Sequence, residues 1–197
     1  MTGKARNTIL YFFHEANNLT LGRVKLAKLM FFVDLEVYKK TKDTLTGLDY
    51  LRMQMGPMPA GFDKLFDSLL KTHLIRRAPK KQIHYQPTKP YDLSSFSNTE
   101  RKILSKVAKE YLSSTTDDMV LRSHENYAWK HLEPRCYVPF ELASVESEEE
   151  VKELIKIARS FTDTDLIDHT PELRNSLRKV KRGRSRGELR QINSIFD

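Results

Sequence analysis

His14-Glu15 and His124-Glu125 are the pairs in this 197-residue chain best placed to do chemistry. A histidine followed by a glutamate opens the H-E-x-x-H pattern, in which two imidazoles one helical turn apart hold zinc and the carboxylate is the general base. Position 18 is an asparagine and position 128 an alanine, so neither pair has its second imidazole. His124, Glu125 and the nearby His131 could assemble an acid/base group, but a surface histidine beside a glutamate is more often structural. One cysteine, Cys136, allows no internal disulfide, and a single thiol among scattered histidines has no zinc spacing. It reads as a small, partly buried apolar group. The sequence has no G-x-x-x-x-G-K-[ST], no G-x-G-x-x-G and no G-x-S-x-G. The expectation is a protein that is not an enzyme and uses no metal or cofactor.

Asp34 is the remaining candidate, and its setting limits what it can do. It interrupts LGRVKLAKLMFFVDLEVYKK, residues 21–40, a segment apolar almost all round between Val24 and Val37. Such a helix belongs at the centre of a fold. A carboxylate there must reach water or find donors, because burying an unpaired charge is very costly. A bond to nearby backbone or to an arginine is the expectation. Thr20 is the expected N-cap of this helix. Residues 4–16 make an earlier helix with a broad face of Ile9, Leu10, Phe12, Phe13 and Ala16.

Thr46-Gly47 marks a turn, and YLRMQM, residues 50–55, alternates with the period of a half-buried strand. Gly56-Pro57-Met58-Pro59 should stop that strand, since each proline fixes φ and removes a donor. The result is a stiff elbow. Whether Met53 and Met55 fill core or face solvent stays open; Gln54 and Met58 are the expected exposed members. An amphipathic helix with Phe62, Leu65, Phe66, Leu69 and Leu70 follows. A basic hairpin then spans residues 71–89, with six Lys/Arg and no acid. Ser97 and Glu100 form a capping box. Thr115-Thr116-Asp117-Asp118 opens a short helix, and the only tryptophan, Trp129, comes soon after.

The formal net charge is +8. Residues 145–170 hold eight Asp/Glu against three Lys/Arg, whereas residues 171–197 hold three against eight. The division expected is a domain over 1–144 and an extension over 145–197, an acidic helix followed by a basic helical or flexible tail. Ser147 to Glu150 is a further capping box, and Pro171 sits at a helix start. Two such helices are expected to pack on the domain. No run approaches the roughly 18 apolar residues of a membrane helix. The opening residues mimic a secretory signal only weakly, because the apolar core Ile9–Phe13 stops at His14-Glu15. With the lone cysteine, this points to a cytoplasmic protein without membrane contact.

Lys25-Leu26-Ala27-Lys28-Leu29, Phe31-Phe32-Val33-Asp34, Thr46-Gly47, Gly56-Pro57-Met58-Pro59 and Ser123-His124 followed by Trp129 occur in this order. In order and spacing they resemble the Panacea domain, also called the Soc-type antitoxin domain, over roughly residues 5–140. The aromatic pair Phe31-Phe32 departs from the tyrosine often found in the family. The resemblance implies an antitoxin, often from phages or mobile elements, that binds and silences a co-encoded toxin. Some members resemble adaptors that deliver the toxin to a protease.

The fold expected is α+β, mainly helical, with one small antiparallel sheet from residues 50–55, 74–77 and 82–86 in a winged-helix-like order. The function expected is neutralisation of a cognate protein toxin by direct binding. The alternatives are a nucleic-acid-binding transcriptional regulator acting through the basic hairpin or tail, and a protease adaptor. Partner contacts are assigned to Gln54, Gly56, Pro57, Met58, Pro59, Arg76, Arg77, Lys80 and Lys81. Asp34, His124 and Trp129 belong to the resembling motif without an assigned role. Oligomeric state is not legible in the sequence.

Overall fold

A computed structural model describes residues 3–17, 21–77 and 85–145, together with residues 147, 149, 150 and 152. Its spine is α2, Arg23–Thr41, buried on every side from Lys25 to Asp34 as its apolar circumference requires. The expected cap Thr20 lies outside the described residues; Gly22 is the N-cap, with no side-chain bond. Phe31 meets Tyr50 and Phe140, and Phe32 stacks on Tyr111 at 4.5 Å. Around this spine pack α1 (Gly3–Ala16), α4 (Asn98–Tyr111), α5 (Thr116–His124) and the short α7 (Phe140–Ala143). The remaining described helices are α3 (Phe62–Lys71) and α6 (Tyr127–His131). Arg23 ties the start of α2 to α3 through Asp63 and Asp67 at 3.0 and 2.8 Å. The architecture is one mainly helical domain with small antiparallel β elements, as the sequence implies.

Local signals set the helix ends. Ser97 accepts from the Glu100 N–H, and the Glu100 carboxylate accepts from the Ser97 N–H. Thr115 and Asp118 make the same reciprocal pair at the start of α5. Each exchange satisfies two amides that a helix N-terminus otherwise leaves without partners.

The sheet differs from expectation in two ways. Gly56–Pro59 does not end a strand; it is a strand, β2, antiparallel to β1 (Tyr50–Met53), with Gln54 and Met55 between them. The prolines are tolerated because of register. Pro57 and Pro59 lie opposite Arg52 and Tyr50. Those two residues spend their ladder groups on the other edge: Arg52 N–H donates to the Cys136 carbonyl at 2.8 Å, and the Tyr50 carbonyl accepts from Val138 at 2.8 Å. No amide is wanted from β2 at those pairs, so the missing proline N–H costs nothing there. Secondly, β3 (Ile75–Arg77) and β4 (Tyr85–Pro87) form their own two-stranded sheet rather than joining β1.

The tip of the basic hairpin, with Lys80 and Lys81, lies outside the described residues, as does nearly all of the 145–197 extension. At its start, Ser147 Oγ accepts from the Glu150 N–H at 3.4 Å, one half of the expected capping box.

Candidate functional site

The β1–β2 hairpin carries the candidate site, and its position is set by α2, α5 and α6. Gly56 follows the turn at φ +87°, in the left-handed region that glycine tolerates. A Cβ at this position would stand 2.1 Å from Ser123 Oγ, 3.0 Å from Lys28 Nζ and 3.3 Å from His124 Cδ2. Glycine is therefore required for its conformation and for the space it leaves. Lys28, fully buried on α2, also reaches the hairpin. Its Nζ donates to the Pro57 carbonyl at 2.7 Å and approaches Met58 Sδ at 3.5 Å. Burial pushes the ammonium down to about 7. Ser123, also fully buried, donates to the Val120 carbonyl at 2.8 Å.

Trp129 locks the tip. Its indole N–H donates to the Met53 carbonyl at 2.9 Å. His124 lies parallel to the ring with centroids 3.6 Å apart, and the Arg52 guanidinium sits 4.5 Å from the ring centroid. Two groups at these distances cannot share one face, so the indole is clamped on both. Arg52 Nε also donates to the Trp129 carbonyl at 3.2 Å. Burial lowers the His124 pKa, the Lys28 and Arg52 charges lower it further, and the Gln54 backbone acts against them. His124 Nε2 is buried without a hydrogen-bond partner among the described residues.

Asp34 clasps the connection from α2 into β1. Fully buried, it accepts from the Thr46 N–H at 2.8 Å, the Thr46 hydroxyl at 2.5 Å and the Tyr50 hydroxyl at 2.8 Å. The expected bond to nearby backbone is present, and two hydroxyls stand where an arginine was the other option. Burial raises this carboxyl to about 6 even though the three donors pull it down.

The bracing leaves little of the elbow outside. Gly56, Pro57 and Pro59 are buried, and Met58, an expected exposed member, is half-buried against Lys28. Gln54 is exposed as expected. Met53 and Met55 join it, 37% and 43% exposed, resolving their open assignment toward solvent. Arg76 and Arg77 are exposed on β3. The buried Lys28, Arg52 behind the indole and the Thr46–Tyr50 pair under Asp34 are parts whose roles the sequence did not yield. The one signal for Lys28 was a lysine inside an all-round apolar helix.

The histidine pairs are not assembled for acid/base work. His124 faces Trp129, Glu125 is exposed, and the His131 ring lies parallel to Tyr127. His14 Nε2 bonds the Lys89 carbonyl at 2.9 Å. No group of three or more metal-ligating side chains occurs among the described residues. Nor is any helix among them long and apolar enough to cross a membrane.

Comparison with curated proteins and with solved structures returns no match. A family model does match, the antitoxin SocA-like Panacea domain, over residues 26–130. That stretch runs from α2 through Trp129 and holds the hairpin and each side chain that braces it. This chain belongs to the antitoxin SocA-like family, and residues 26–130 are its Panacea domain.

Proposed function

We propose that the chain is an antitoxin that neutralises a cognate protein toxin by direct binding, with the β1–β2 tip as a principal contact. The observation that supports this is family membership over the stretch that contains the tip and its bracing. The tip is a convex knob, Met53-Gln54-Met55, on a hairpin whose backbone is fastened to Trp129 and, through Lys28, to α2. A knob held this way has little conformational freedom left to lose on docking. Its two thioethers supply apolar, polarizable contact that adapts to the cleft it enters. Arg76 and Arg77 offer a second, cationic contact, to which Lys80 and Lys81 would add. Neutralisation in this mode needs no chemistry from the antitoxin.

The test is to replace Met53 and Met55 together with aspartate in the full chain. Exposed substitutions away from the core change stability by only about 0.5 kcal/mol. Two central apolar contacts are worth on the order of 1–2 kcal/mol each in an interface. The pair should therefore keep the fold, lose affinity for the co-purifying toxin by at least about tenfold, and fail to protect cells expressing it. Undiminished protection and affinity would remove the tip from the interface.

A further inference from the structure

The outer face of α4 is a second surface, independent of the hairpin and of the toxin reading. Arg101, Lys102, Ser105, Lys106, Lys109 and Glu110 line an open groove of about 700 Å³ along it. The residues fall into two neighbouring rows at i, i+4 spacing, 101-105-109 and 102-106-110, so their side chains share one face. The buried side of α4, Ile103, Leu104, Val107 and Ala108, is turned into the core. Two of the charges are balanced locally: Lys106 pairs with Glu36 at 2.5 Å, and Glu110 with Arg122 at 3.8 Å. Arg101 donates its Nε–H to the Phe96 carbonyl. Arg101, Lys102 and Lys109 form no ion pair among the described residues.

From this arrangement we propose that the α4 face binds the phosphate backbone of double-stranded nucleic acid without regard to sequence. Three points select that partner. Protein interfaces are depleted of lysine and centre on apolar or aromatic anchors, whereas this lining has three lysines and no apolar side chain. Single-strand sites stack bases on aromatic rings, and the lining has none. Base reading favours Asn, Gln or several arginines on the groove-facing side, and α4 offers Arg101 alone there. Unpaired cations flanking a serine hydroxyl are what phosphate contacts use.

The experiment measures fluorescence anisotropy of a labelled 20-base-pair DNA duplex of mixed sequence with the full chain, over a series of salt concentrations. Each phosphate neutralised contributes roughly −0.9 to the slope of log affinity against log salt. K102E/K109E should make the slope shallower by about 2 and weaken binding roughly tenfold to a hundredfold at 0.1 M salt. K102Q/K109Q should do most of the same with less repulsion. R76E/R77E, on the other surface, should leave the α4 contribution in place. The basic residues of 171–197 are common to all these proteins, so the slope difference isolates α4. The proposal is overturned if the wild-type chain shows no salt-dependent duplex binding or if the α4 variants keep the wild-type slope. Tighter binding to a single strand of the same sequence would also overturn it. So would α4 variants that bind duplex normally but lose a co-purifying acidic protein. Unchanged circular dichroism of the variants excludes misfolding as the cause.

Discussion

Replacing Gly56 by alanine perturbs the point where the hairpin, α2 and α5 meet, and its cost can be worked from two separate sources. The first is conformational. At φ +87° a Cβ crowds the backbone, which costs about 1–2 kcal/mol for an L-residue in the left-handed region. The second is steric. The added methyl would stand 2.1 Å from Ser123 Oγ, so α5 or the serine must move. Forcing extra volume into a packed site costs about 1–3 kcal/mol. Together Gly56→Ala should destabilise the protein by about 2–5 kcal/mol, read as a lower urea midpoint at unchanged slope. Ser123→Ala removes the clashing oxygen and gives up one bond to a helical carbonyl, so alone it should cost about 1 kcal/mol. In the double variant the steric part should return while the conformational part remains. The two changes should then couple favourably by about 1–3 kcal/mol in a double-mutant cycle. A Gly56→Ala cost below about 0.5 kcal/mol would refute the close approach. Strict additivity would refute Ser123 as its partner.

Asp34 and Lys28 make opposite contributions to stability as pH changes. The folded Asp34 carboxyl is raised to about 6, so its contribution is fully present below the unfolded value near 4 and is lost as pH rises through 6. Asp34→Asn should remove a loss on the order of 3 kcal/mol between pH 4 and 7, measured as the difference between the two proteins' urea profiles. The same slope in both proteins would count against a raised carboxyl. The folded Lys28 ammonium is lowered to about 7, so its contribution is present above the unfolded value near 10.4 and is lost as pH falls through 7. Lys28→Met should flatten the rise in stability from pH 7 to 10; a rise as steep as that of the wild type would place Lys28 in contact with water. Changing Arg76, Arg77, Lys80 and Lys81 together to glutamate should weaken the toxin complex and leave the thermal midpoint in place, and unchanged affinity would take that hairpin out of the interface.

Much of the frame is legible in the chain because its causes are local. The all-round apolar run from Val24 to Val37 can only be a central helix. The capping boxes at Ser97 and Thr115 involve residues three apart. An aspartate in that central helix had to find donors, and it did. What escaped depends on contacts between distant segments. Proline-rich Gly56–Pro59 looks like a strand stop until residues 135–138 occupy the far edge of β1 and fix which pairs need amides. Lys28 is only an unexplained lysine in an apolar helix until the Pro57 carbonyl, 29 residues away, is set against it. The tip faces solvent because Trp129 captures the Met53 carbonyl 76 residues back. Burial of the motif residues Gly56 and Pro57, and the half-buried stack of His124 on Trp129, follow from that long-range closure. They brace the surface more than they form it.

Neutralisation by direct binding, as proposed, requires that this chain hold a toxin. The most direct measurement is a pull-down of the tagged full chain from its native host, nuclease-treated and washed at moderate salt, with the bound species identified by mass. The expected result is one protein at a fixed stoichiometry, toxic when expressed alone and tolerated when this chain is present. Recovery of nucleic acid from an untreated sample, with no protein partner in either, would contradict it.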